Sequence, residues 1–87
     1  MVTEKVILTA PNGMHARPAT ELVKLAKSLD GKVTLATAVK SVSATSMLGV
    51  LSLGLKSGTE VTVTADGGSE QANVSAVDEF IANITEL

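Results

Sequence analysis

Apolar and polar positions follow two different periods along this chain, and the changes of period mark its elements. "VTEKVILTA", residues 2–10, is rich in β-branched residues and predicts a strand. "APNG", 10–13, ends it with turn chemistry, because proline fixes φ while asparagine and glycine tolerate positive φ. From Ala16 the period becomes helical, with Ala19, Leu22, Val23, Ala26 and Leu29 on one stripe. "DGK", 30–32, closes that helix and puts Gly31 in place to cap its C-terminal end. "KVTLATA", 32–38, turns Val33 and Leu35 inward as a second strand, and a short strand follows around 40–43. "SMLGVLSLGL", 46–55, is too short and too broken by glycine for a long helix, but Ser46 can cap one or two turns. "TEVTVTAD", 59–66, alternates Val61, Val63 and Ala65 and is the clearest strand. "GGSE", 67–70, leads into a final helix with Val74, Val77, Phe80, Ile81, Ile84 and Leu87 on one face.

The order is βα, then ββα, then βα. It predicts an α+β domain with one sheet covered on one face by helices. No linker, repeat or low-complexity stretch interrupts residues 1–87, which are expected to form a single domain. Hydrophobic residues make up 45% of the chain, enough to exclude a disordered segment. Phe80 is the only aromatic residue, so Val, Leu, Ile and Ala must build the core. The absence of cysteine removes disulfides, thiolate nucleophiles and zinc–thiolate sites together. It fits a reducing compartment. "MVTEKVIL" has no signal-peptide core, and no apolar run approaches the roughly 18 residues of a membrane span. A cytoplasmic protein without membrane insertion is expected. The glycosylation-type sequons at Asn73 and Asn83 are then chance.

Net charge is −2, unevenly laid out. Residues 1–56 carry seven basic and three acidic groups, whereas residues 57–87 carry six acidic groups and no basic one. The basic part suits an acidic partner as well as it suits plain solubility. Nucleic acid is not expected, because there is no dense Lys/Arg cluster and no aromatic set for stacking.

The rare chemistry sits in "PNGMHARPAT", 11–20, which holds the only histidine, His15, the only arginine, Arg17, and both prolines. His15 falls between the turn and the helix. The backbone amides of Ala16 and Arg17 are among the first donors of that helix, which lack intrahelical partners, and the helix dipole adds positive charge there. Pro18 is tolerated in a first turn. A neutral imidazole is a competent nucleophile near pH 7, and a guanidinium fork suits phosphoryl oxygens. These residues describe a nucleophile beside an anion cradle. Taken alone they also fit an ordinary polar loop histidine. A metal site would need more ligands than one histidine supplies, and none is expected; a Ser-His-Asp triad would need a third positioned group.

"APNGMHARPAT" resembles the active-site segment of the HPr family, the histidine-containing phosphocarriers of the bacterial sugar phosphotransferase system. Its Gly-x-His-x-Arg-Pro-Ala core is intact as Gly13, His15, Arg17, Pro18 and Ala19. "SATSMLGVLSLGLKSG" resembles the family's regulatory-serine region, with Ser46 at the serine position. The two segments lie in the family's order and spacing, and the resemblance covers essentially the whole chain. It implies an open-faced β-sandwich, βαββαβα, with a four-stranded antiparallel sheet and three helices on one face. It implies a carrier without turnover of its own or a cofactor, taking phosphate from enzyme I onto the δ1 nitrogen of His15. Arg17 and the amides of Ala16 and Arg17 would hold the phosphate. Enzyme IIA components would receive it. Ser46 would be the regulatory phosphorylation site, with a serine kinase/phosphorylase and a catabolite control regulator as candidate partners. Many relatives carry a basic residue just before that serine; here it is Thr45.

A partner surface follows from the helical period. Arg17, Thr20, Lys24 and Lys27 fall within about 80° of one another, opposite the apolar stripe. Met47, Leu48 and Leu51 belong to a short segment with apolar residues on most sides, so some of them should be exposed beside the histidine. Nothing in the sequence demands more than a monomer. Two other functions remain open at this level: a regulatory binding module switched at Ser46, and a small phosphatase of similar layout. The latter would need a positioned water and a second polar group, for which the motif offers only Asn12.

Overall fold

The computed structural model describes residues 1–9, 13 and 16–84. The elements are β1 (Val2–Ile7), α1 (Ala16–Ser28), β2 (Lys32–Ala36), β3 (Ser41–Ser43), α2 (Met47–Ser52), β4 (Glu60–Asp66) and α3 (Glu70–Ala82), in the expected order βαββαβα. The four strands form one sheet in the order β1-β4-β2-β3, with every neighbouring pair antiparallel. The last strand therefore lies between the first two, and β1 is paired with it along its whole length.

Strand alternation divides the sheet into a dry and a wet face. Val33 and Leu35 of β2 and Val61, Val63 and Ala65 of β4 are buried, and the half-buried Val2, Val6 and Val42 extend the same layer. The helices cover this face with Ala19, Leu22, Val23 and Ala26 of α1, Val50 of α2, and Val74, Val77 and Ile81 of α3. Each fully buried Val, Leu or Ile side chain contributes about 1.5–3 kcal/mol relative to exposure. The buried core is thus aliphatic, and Phe80, the one aromatic side chain, is half-buried against it. The open face is a hydroxyl surface: Thr3, Thr64, Thr34 and Ser43 lie in one register row across all four strands. The hydroxyls of Thr3 and Thr64 are 3.1 Å apart.

The elements end for identifiable reasons. β2 stops at Ala36 because Thr37 turns the chain, its amide donating to the Lys40 carbonyl at 2.9 Å. Ile84 is buried but lies past the end of α3, and Leu87 is outside the described residues. Gly31 does not cap α1 in the left-handed conformation, since it is absent from the positive-φ glycines. A close approach is what requires glycine there: a Cβ would collide with the Gly67 carbonyl oxygen. The turns after α1 and β4 lie side by side, and Asp30 ties them together. Its carboxylate accepts the Ser69 amide at 3.0 Å, the Ser69 hydroxyl at 3.0 Å and the Asn73 side-chain amide at 2.9 Å. Ser69 sits at the N-cap of α3 but makes no side-chain cap bond; Asp30 supplies an acceptor from the other turn.

Asp78 is the polar group that the packing leaves least satisfied. It lies half-buried on α3, and its Oδ1 has no hydrogen-bond partner. Glu4 pairs with Val63 on the helix-covered face of the sheet. Burial first, and the Glu4 carboxylate second, push the Asp78 carboxyl above its ordinary range. A carboxyl raised in the folded state binds its proton more tightly there than in the unfolded chain. Its stabilising contribution is therefore present at low pH and is lost as pH rises through the folded value. Asp78→Asn should raise stability at pH 7 by about 0.5–1 kcal/mol, and the gain should shrink toward pH 4. Urea unfolding at the two pH values checks this; equal stability of the two proteins at pH 7 would contradict it.

Candidate functional site

The site is organised by the start of α1. His15, together with Ala10, Pro11, Asn12 and Met14, lies outside the described residues. What the structure gives is the frame around it. Ala16 is the first residue of α1, and both Ala16 and Arg17 are exposed. In an α-helix the amides at these two positions precede the first i→i−4 acceptor and point out of the helix end. Pro18 and Ala19 are buried, so the first turn is anchored on the core while its other side stays in water. The first turn contains no acidic residue, which leaves the dipole and the Arg17 charge unopposed by a carboxylate there.

Ahead of the helix, Gly13 is buried with φ +68°. A Cβ on it would strike the Leu55 carbonyl oxygen and lie 3.1 Å from the Lys56 Cα. The glycine of the motif is therefore needed for its left-handed conformation and for the contact of its backbone with the segment before β4. The tolerance of Gly13 for positive φ was legible, while Pro11 and Asn12 of the same turn signal lie outside the described residues; the segment Gly13 packs against, far along the chain, was not legible.

α2 completes the frame. Ser46 is its N-cap, and the hydroxyl accepts the Gly49 amide at 3.1 Å. This is the cap expected from the sequence. Thr45 precedes it with its hydroxyl 2.8 Å from that of Ser43. Val50 is buried and Met47 is half-buried, while Leu48 is 82% exposed and Leu51 36% exposed. The structure brings α1 and α2 together at Thr20, whose hydroxyl donates to the Ala16 carbonyl at 2.7 Å and lies 3.9 Å from the Met47 sulfur. The polar face of α1 and the exposed apolar side of α2 are thus contiguous. Lys24 and Lys27 are exposed on that face, but Lys24 is 3.5 Å from Glu21. Glu21 flanks the basic stripe on the Arg17 side and offers Lys24 a carboxylate partner that the sequence reading did not weigh.

Among the described residues no group of three or more His, Cys, Asp or Glu side chains could hold a metal ion, and no helix is long and apolar enough to cross a membrane.

Comparison with known proteins bears on the same residues. The family model described as "PTS HPr component phosphorylation site" matches residues 2–83. The phosphocarrier protein HPr of Vibrio cholerae serotype O1 is 39% identical over 87 residues, covering 100% of this chain and 99% of the relative. The crystal structure of a phosphocarrier protein HPr from Bacillus anthracis superposes with a TM-score of 0.88 at 28% identity, covering 92% of this chain and 95% of that one. The solution structure of Crh, the Bacillus subtilis catabolite repression HPr, has a TM-score of 0.71 at 34% identity, covering 95% and 99%.

The Gly13 contact gives the site a structural test. Gly13→Ala should cost about 1–3 kcal/mol, because alanine is strained at positive φ and its methyl has no space before Leu55. Chemical denaturation measures the loss. Wild-type stability in the alanine variant would contradict the close approach.

Proposed function

Because the chain belongs to the HPr family of the bacterial sugar phosphotransferase system, we propose that His15 is the residue that carries the phosphoryl group and that Arg17 and the amides of Ala16 and Arg17 hold it. Membership makes the chain a phosphocarrier in a histidine-phosphorylation relay, not an independent enzyme, and implies enzyme I and enzyme IIA components as partners. The observation that carries the assignment is the acid-free first turn of α1, with Arg17 exposed in it two residues after the only histidine of the chain. The δ1 nitrogen of His15 attacks phosphorus as the bond to the donor on enzyme I breaks. The dianionic group then rests against the helix start and the guanidinium until an enzyme IIA nucleophile displaces the imidazole. The sharing of charge with fixed donors favours the anion at no cost in reorganisation.

The partner surface comprises Arg17, Thr20, Lys24 and Lys27 of α1 with Met47, Leu48 and Leu51 of α2. The approach of the Thr20 hydroxyl to the Met47 sulfur and the exposure of Leu48 support it. Residues 1–87 act as one domain, as a monomer in the cytoplasm, with no need of nucleic acid, cofactor or membrane. His15→Ala should abolish acid-labile phosphate after incubation with phosphoenolpyruvate and enzyme I. Arg17→Ala should retain phosphorylation but slow it roughly 10- to 100-fold, the worth of one charge-assisted contact. Transfer retained by the His15 variant would refute the assignment.

Ser46 is a regulatory phosphorylation site in this proposal, acted on by a serine kinase/phosphorylase, with a catabolite control regulator as the reader of the modified form. Its exposure and its place at the start of α2 support that role. Phosphate there adds roughly −1.5 to −2 charge at pH 7, which the Gly49 amide and the helix start accept with little rearrangement. The inhibition arises at the partner, because the charge enters the apolar patch of Met47, Leu48 and Leu51. Phosphoserine at 46 should slow phosphorylation by enzyme I roughly tenfold, and Ser46→Asp should slow it less. Ser46→Ala should be phosphorylated normally, apart from about 1 kcal/mol of stability lost with the cap. Stopped-quench kinetics on the three proteins decides it, and an unchanged rate in the phosphoserine form would end the inhibitory role.

A further inference from the structure

We propose that a protonated Asp78 fastens the edge strand β1 to α3 by donating a hydrogen bond to the Glu4 carboxylate, so that this seam tightens on mild acidification. The first observation is the position of Glu4. β1 is an edge strand, paired on one side alone, with β4. Alternation puts Val2, Glu4 and Val6 on its helix-covered face, and both valines pack against the core. A carboxylate between them is an inward-pointing charge on a sheet edge, a feature that discourages pairing with another chain. Glu4 is engaged from above: the Gln71 side-chain amide donates to its Oε2 at 2.9 Å and to the Ser75 hydroxyl at 3.1 Å.

The second observation is the place of Asp78. Gln71, Ser75 and Asp78 fall within about 60° of one another on α3, on the stripe that meets Glu4. Helical side chains lean toward the N-terminus, which turns Asp78 back toward Ser75 and the Glu4 carboxylate. Asp78 Oδ1 is the one buried side-chain nitrogen or oxygen without a hydrogen-bond partner among the described residues. Two ionised carboxylates offer only acceptors and cannot satisfy each other. A proton taken from solvent gives Asp78 the donor that both lack. The O–H···O⁻ bond so formed is charge-assisted and replaces a repulsion between like charges.

The third observation concerns the other charges around the seam. α3 packs against β1, β4 and α1. On β1, Lys5 lies on the open face, 3.8 Å from Glu60, and the N-terminal amine is held by Glu70. Glu60 and Asp66 are exposed at the two ends of β4. On α1, Arg17 and Lys27 are exposed and Lys24 is paired with Glu21. Glu79 is exposed on α3 itself, and Asp30 is engaged by Ser69 and Asn73 at the other end of that helix. Burial first, and the Glu4 carboxylate second, raise the Asp78 carboxyl, and no cation opposes them. A carboxyl raised in the folded state stabilises at low pH and loses the effect as pH rises through its folded value. The fastening is therefore strongest in mild acid and released toward alkaline pH.

The test uses the full chain with Glu4→Gln, Asp78→Asn and, as a remote control on α1, Glu21→Gln. Carbon-13 carboxyl titration by NMR reads the pair: the Asp78 midpoint should fall in Glu4→Gln and keep its wild-type value in Glu21→Gln. Amide hydrogen exchange, corrected for intrinsic rates, reads the strand. Between pH 7.5 and pH 5, protection of the β4-bonded amides of β1 should rise about 3- to 10-fold in the wild type, the worth of one hydrogen bond to a charged group discounted for partial exposure. The rise should disappear in Asp78→Asn and in Glu4→Gln and persist in Glu21→Gln. An Asp78 midpoint unmoved by Glu4→Gln would leave burial as the whole cause and overturn the proposal. A rise in β1 protection that survives in either variant of the pair would overturn it as well.

Discussion

The pairing of the first strand with the last is the constraint from which the site follows. β1 pairs with β4 from Val2 to Ile7, and Leu8 extends the pairing to Gly58 and Thr59. The chain leaving β1 and the chain entering β4 are thereby forced side by side. One of these stretches carries the histidine motif; the other comes from α2, the helix capped by Ser46. Gly13 meets Leu55 where they run together, and α1 starts immediately beyond. The glycine of the histidine motif, the start of α1 and the segment leaving the helix capped by Ser46 come together because two strands distant in sequence are neighbours.

Charge is arranged with the same economy. Carboxylates held by donors sit at the far turns: hydrogen bonds from Asn73 and Ser69 pull the Asp30 carboxyl below its usual range, and those from the Gly67 amide and the N-terminal amine do the same for Glu70. Their contributions are present at neutral pH and lost as pH falls. Asp78, on α3, behaves in the opposite sense because burial dominates. None of the three lies in the first turn of α1, where a carboxylate would compete with any anion held there.

Much of this was written in local pattern. The periods of α1 and β4, the alternation of Val61, Val63 and Ala65, and the Ser46 cap are properties of a few consecutive residues, and each element came out with the expected type. The order of elements implied one sheet covered on one face by helices, and the family resemblance, carried chiefly by two short segments, supplied its four-stranded antiparallel form. What local pattern could not carry was everything set by distant partners. The insertion of β4 between β1 and β2 is a matter of chain crossing. Gly31 looked like a cap because a glycine after a helix usually is one; its real neighbour is Gly67. Asp30 looked like a turn residue, yet it caps a different helix.

The central claim is that the phosphoryl group on His15 rests on the start of α1, held by the amides of Ala16 and Arg17. The most direct measurement is a pair of ¹H–¹⁵N correlation spectra of the uniformly labelled protein, before and after phosphorylation by enzyme I. New charge-assisted hydrogen bonds should move the Ala16 and Arg17 amide protons downfield more than any others, while the amides of β2, β4 and α3 keep their positions. Unmoved Ala16 and Arg17 resonances in a fully phosphorylated protein would contradict the account.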